Sequence, residues 1–112
     1  MENLSKKKCV ACDGSIPPFD TNEIHKYLKK VDDWDVKRND DKSYYLIKNF
    51  KFKNFEDSLN FTNKVGEIAE QENHHPDISF GWGYCKIKIF THAIKGLAES
   101  DFILAAKIDK LD

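Results

Sequence analysis

Between Asn54 and Glu72 the apolar residues return every third or fourth position, and Pro76 closes the pattern. At about 100° per residue, Phe55, Leu59, Phe61, Thr62, Val65, Gly66, Ile68 and Ala69 fill one side of a helical wheel. Glu56, Asn60, Asn63, Lys64, Glu67 and Gln71 fill the other. Asn54 stands at the N-cap, and Glu56 and Asp57 meet the positive end of the helix dipole. The helix must stop before Pro76, because a proline disfavours helical geometry in the residue preceding it. Glu70 falls at the boundary of the two sides, where a carboxylate is expected to be partly buried.

An amphipathic helix has to lay its apolar side on something. From Tyr84 to Thr91 the residues alternate, with Cys85, Ile87, Ile89 and Thr91 facing one way and Tyr84, Lys86, Lys88 and Phe90 the other. That period of two marks a strand buried on one face, and His92 stands at its end. Before it comes a stretch broken by Gly81 and Gly83. Trp34 to Lys37 reads as a short strand, Asn39-Asp40-Asp41 as a turn, and Ser43 to Phe52 as the partner strand of that hairpin. Asp20 or Thr21 can cap a first helix bearing Ile24, Tyr27, Leu28 and Val31. Ala98 to Leu111 offers a last helix with Phe102, Ala105, Ala106 and Ile108 on one side. The order α-β-β-α-β-β-α predicts an α+β domain, a four-stranded antiparallel sheet with three helices on one face. With 112 residues, 40% of them hydrophobic, the chain has material for one such core. Residues 19–112 are expected to form it, and residues 1–18, polar and ending in Pro17-Pro18, a flexible arm.

Charge removes several function classes. Eighteen basic residues face nineteen acidic ones, and only Arg38 is an arginine. Duplex or membrane-surface binding normally needs a basic excess, and bidentate phosphate contacts need the guanidinium fork. No apolar run approaches the roughly 20 residues that span a bilayer, and the lysines of Met1 to Lys8 precede no apolar signal core. Three cysteines point to reduced thiols, and Cys9-x-x-Cys12 lacks a second pair for a zinc ribbon. A cytoplasmic protein is expected, with nuclear presence left open. Phosphate loops, dinucleotide fingerprints and serine elbows are absent.

Histidine is the remaining source of chemistry. His74 and His75 follow the long helix and His92 ends a strand, places where rigid elements hold side chains at a cleft. With an unperturbed pKa of about 6.5, histidine gives and takes protons at neutral pH. Glu70 lies one helical turn before His74, and Asp101 is a candidate to hold a histidine tautomer or to cap the last helix. Zinc is the rival reading, but adjacent side chains diverge, so His74 and His75 are poorly placed to share one ion.

Glu70-x-x-x-His74-His75-Pro76, then Trp82, His92 and Asp101 after five, nine and eight residues, resembles the signature of the pterin-4a-carbinolamine dehydratases. The similarity covers about residues 20 to 110, including Trp34, Phe52-Lys53-Asn54-Phe55 and Asp101-Phe102, and the Cys9/Cys12 arm is similar to the bacterial branch. Ser100 departs from vertebrate members, which commonly carry arginine there. The resemblance implies a hydro-lyase that converts 4a-hydroxytetrahydrobiopterin to quinonoid dihydrobiopterin and water. That step recycles tetrahydrobiopterin for aromatic amino acid hydroxylases and uses neither metal nor cofactor. It implies His74 and His92 as proton-transfer groups and His75 as the residue that orients the pterin, with Pro76 fixing the turn. Glu70 would hold the histidine pair, Trp34 would cover the ring, and the backbone from Thr91 through His92 and Ala93 to Ile94 would meet the amide-like edge. A homodimer or homotetramer is implied as well. The alternative is a non-catalytic module, a dimerisation cofactor and coactivator for a transcription factor, as vertebrate members also are.

Overall fold

The computed structural model describes residues 17–111. Cys9, Cys12 and the expected arm up to residue 16 lie outside the described residues. Helix α1 spans Thr21–Leu28, strands β1 and β2 Asp35–Arg38 and Tyr44–Lys51, and helix α2 Phe55–Glu72. Strands β3 (Asp77–Gly81) and β4 (Tyr84–Ile89) follow, then a 3-10 turn at His92–Ile94 and helix α3 (Glu99–Asp109). Asp20 caps α1 by accepting from the Glu23 N–H at 2.9 Å, and Asn54 caps α2 by accepting from the Asp57 N–H at 2.8 Å. Both caps satisfy amides that a helix start leaves without partners. Val31, expected on α1, lies beyond its end and is buried all the same.

All pairings are antiparallel, in the order β1-β2-β4-β3. Two hairpins therefore meet along β2 and β4, with Leu46 opposite Ile89 and Phe50 opposite Cys85. The turn between β3 and β4 needs Gly83, whose φ of +81° suits glycine and whose Cβ, if present, would stand 3.2 Å from the Phe52 carbonyl. Cys85, Ile87 and Ile89 are fully buried on the helix side, as their alternation predicts, and share one core with Phe61, Val65, Phe102 and Leu104. Among the described residues no helix is long and apolar enough to cross a membrane.

Helix α2 packs through Ser58, Phe61, Val65 and Ala69. Phe55, placed on the apolar side by the wheel, is half exposed and rests on Phe80 with ring centroids 5.7 Å apart. Strand β4 stops at Ile89 rather than Thr91. Thr91 pairs instead with Gly96, each N–H donating to the other's carbonyl, so the chain doubles back and His92 opens a 3-10 turn instead of ending a strand. Residues 18 and 19 clasp this loop: Pro18 packs against Gly96, and the Phe19 N–H donates to the Leu97 carbonyl at 2.7 Å.

The far end of α3 is tied to the first hairpin by one carboxylate. Asp109 accepts from Trp34 Nε1 and the Asp32 N–H, each at 2.9 Å, and from Lys48 Nζ at 2.8 Å. Buried donors left without acceptors are costly, so Asp109→Ala should lower the stability of the fold by about 2–4 kcal/mol, read as a shift of the urea midpoint. The β1–β2 turn depends on another carboxylate. Asp41 accepts from the Ser43 hydroxyl and the Ser43 N–H, and these bonds hold its carboxyl below the ordinary aspartate value. A pKa depressed on folding stabilises above the unfolded value and is lost as pH falls through the folded one. The stability gap between the wild type and Asp41→Ala should therefore be present at neutral pH and close on acidification, which urea titrations at several pH values would read.

Candidate active site

The histidine pair is set by how α2 ends. Asn73 takes the left-handed conformation (φ 52°), its N–H bonds back to Ala69 and Glu70, and the His74 N–H donates to the Ala69 carbonyl at 3.1 Å. Past this sharp turn the two neighbouring side chains part. His74 turns inward, with Nε2 2.7 Å from Asp101 Oδ1. His75 stays exposed, with Nε2 3.4 Å from Glu70 Oε2. Glu70 thus pairs with His75, not with the His74 that lies one helical turn on, because the helix has ended before it reaches that residue. Its carboxylate is 79% exposed rather than partly buried, since α2 seats itself on Ala69 and turns the next residue outward.

Asp101 is entirely buried on α3. Its Oδ2 accepts from the Ala98 N–H at 2.8 Å and from the Thr91 hydroxyl at 2.9 Å, while Oδ1 faces His74. The two roles open at the sequence level, helix cap and histidine support, are both filled. With a carboxylate as acceptor, the hydrogen on this side of the His74 ring sits on Nε2. Nδ1 is then the ring atom free to exchange a proton with a ligand.

His74, His75 and His92 line one cleft of about 210 Å³ together with Asn73, Phe90, Thr91 and Ala93. The His92 ring lies 4.2 Å from the Phe90 ring, centroid to centroid. An open groove of about 770 Å³ adjoins it between α2 and β3, lined by Asn63, Gly66, Glu67, Glu70, Pro76 and Ile78. His75 belongs to both. Thr91 spends its backbone on Gly96 and its hydroxyl on Asp101, so the backbone open to a flat ligand lies beyond it, in the turn His92–Ile94. Trp34 is not brought to this cleft. It is buried against Phe50 and bound to Asp109, at the clamp between α3 and the first hairpin. Trp82 sits exposed in the β3–β4 turn. Asn73 and Phe90 are the lining residues that sequence reasoning missed, although Phe90, just past the end of β4 and two residues before His92, continues the open side of the alternation. Among the described residues no three histidine, cysteine or carboxylate side chains converge as metal ligands.

Comparison with known proteins finds relatives along nearly the whole chain. A family model described as Pterin 4 alpha carbinolamine dehydratase matches residues 17–111. A relative from Rubrobacter xylanophilus, provisionally named pterin-4-alpha-carbinolamine dehydratase, is 46% identical over 111 residues, covering 99% of this chain and all of its own. One from Alkaliphilus metalliredigens, with the same provisional name, is 48% identical, covering 98% of this chain and 96% of its own. Among solved structures, the transcriptional coactivator/pterin dehydratase from Brucella melitensis superposes with a TM-score of 0.71 at 25% identity, over 81% of this chain and 94% of its own. A pterin dehydratase-like protein identified as a RuBisCO assembly factor in the alpha-carboxysome shares the fold at a TM-score of 0.58 and 23% identity, over 68% of this chain and 84% of its own.

Replacing the carboxylate by an amide tests the tautomer argument. Asp101→Asn keeps the size but offers an N–H₂ where an acceptor stood, and the Ala98 N–H needs the remaining oxygen. The amide then points its donors at His74, whose Nε2 must accept, moving the ring hydrogen to Nδ1. Nitrogen-15 NMR of the His74 ring should show that switch in a folded variant. Asp101→Ala, which leaves two buried donors and the part-buried His74 without a partner, should instead cost about 3 kcal/mol or more, read by urea denaturation.

Proposed function

The chain belongs to the pterin 4 alpha carbinolamine dehydratase family, and on that premise we propose that it removes water from a 4a-hydroxytetrahydropterin. The observation that carries the reading is the inward His74, bonded to buried Asp101, in one cleft with His92. Hydroxide is a poor leaving group, so an acid must protonate the C4a oxygen as the C–O bond breaks, while a base takes the proton from N5 and the C4a–N5 double bond forms. The products are water and the quinonoid dihydropterin.

His74 suits the base. Its Nδ1 takes the N5 proton, and Asp101 stabilises the imidazolium formed, as a buried carboxylate does for the histidine of a hydrolytic triad. His92, exposed on its turn and steadied by Phe90, supplies the proton that leaves with the hydroxyl. Each transfer contributes about 10²–10⁴-fold. His75, shared by both clefts, orients the ring with Glu70 behind it, Pro76 fixes the turn, and the backbone of His92–Ile94 meets the amide-like edge. The reaction recycles the pterin that aromatic amino acid hydroxylases oxidise. Self-association as a dimer or tetramer is part of the proposal. The outer edge of β3 has no strand beside it among the described residues, and Phe80 on that strand, Phe55 against it, Trp82 in the turn and Tyr84 opposite Gly81 lie exposed.

The second reading, a non-catalytic partner-binding module, is favoured by the likeness to the transcriptional coactivator/pterin dehydratase of Brucella melitensis. A dehydratase assay separates the two. The 4a-carbinolamine, generated by a phenylalanine hydroxylase, should decay faster in ultraviolet absorbance when the chain is added. His74→Ala and His92→Ala should each cut kcat about 10²-fold or more, whereas His75→Ala should chiefly raise KM. Full turnover in both of the first two variants would sink the assignment, and no acceleration by the folded wild type would favour the binding module.

A further inference from the structure

We propose that the open face of the sheet beside His92 receives the substrate's C6 side chain, and that it selects a side chain carrying an aromatic ring and a carboxylate. This rests on the dehydratase reading and names the substrate class within it.

Two walls of opposite character flank the histidine cleft. On one side the groove shared through His75 is lined by Glu67 and Glu70, which repel an anion. On the other stands Phe90, which lines the cleft and lies 4.2 Å from the His92 ring. Beyond Phe90 comes Lys88, on the same open side of β4. Its Nζ is 5.4 Å from the Phe90 ring centroid and 4.2 Å from that of Tyr45. Asp77 is its register partner on β3, yet the ammonium leans the other way and donates to the neutral oxygen of Asn39 at 2.8 Å. Among the described residues Lys88 makes no ion pair, and it retains donors beyond the one given to Asn39. Lys48 shows the contrast: it also stands over an aromatic ring, 4.6 Å from Phe50, but its charge is spent on Asp109.

An aromatic surface that begins at Phe90 in the catalytic cleft and ends in a cation with no carboxylate partner among the described residues matches a ligand with an aryl ring followed by an anionic group. The aryl ring packs against Phe90 and Tyr45 in place of the ammonium that now stands over both, and Lys88 swings outward to give the carboxylate a charge-assisted hydrogen bond. A short neutral polyol side chain stops before the lysine and gains neither contact. The class selected is the folate type, a reduced pterin with an aroyl-glutamate side chain.

Equilibrium binding to the full chain decides it, with 7,8-dihydrofolate and 7,8-dihydrobiopterin as probes. Wild type should bind dihydrofolate about tenfold tighter, the ratio that one charge-assisted hydrogen bond supplies. Lys88→Gln, which can still bond to Asn39, should bring the ratio of affinities close to one, and Lys88→Glu should invert it. Equal affinities in wild type, or a ratio indifferent to Lys88, would overturn the side-chain site while leaving the dehydratase reading intact. Binding of neither probe would overturn the pterin reading and the side-chain site with it.

Discussion

One buried carboxylate organises the chemistry of this chain. Asp101 has no solvent to meet its two oxygens, so each has to find protein donors, and the three donors that serve them come from different parts of the fold. The Ala98 N–H starts α3, the Thr91 hydroxyl fixes the loop after β4, and His74 follows the end of α2. Satisfying a single polar group therefore sets the relative position of the helix, the loop that carries His92 and the histidine pair. Removing the carboxylate would strand donors in all three places, so the site and the local fold share one determinant.

Much of this architecture was legible in the sequence. The alternation of Cys85, Ile87 and Ile89 identified a strand and its buried face, and the wheel of α2 identified Phe61, Val65 and Ala69 as core. Periodicity works there because it reports on which face is buried, and burial is the strongest force on those residues. The histidines, too, stood out by their place at element ends. What failed was local direction. Asn73 in the left-handed conformation turns His74 away from Glu70 and hands the carboxylate to His75 instead. An asparagine in that position is compatible with either outcome until the helix end is seen.

Contacts between residues far apart in the chain were the other loss. No pattern in the sequence joins Trp34 to Asp109 or His74 to Asp101, since hydrogen bonds across the fold leave no period to read. The resemblance assigns Trp34 to the ligand, whereas its indole N–H fastens α3 to the first hairpin. Phe90 is hidden for a related reason: an aromatic on the solvent side of the alternation looks like an ordinary surface residue until His92 is found beside it.

The strand order β1-β2-β4-β3 separates what is local in the chain from what is not. Each hairpin closes over a short turn, on the microsecond scale, whereas the seam that sets Leu46 against Ile89 must wait for α2 to bring the halves together. His74 lies on the chain between the two halves and Asp101 beyond the second. A half-folded chain can thus hold either hairpin without holding a site. The pair of His74 and Asp101 draws on segments from either side of the second hairpin, so proton transfer at this site is a property of the assembled fold and of no one hairpin.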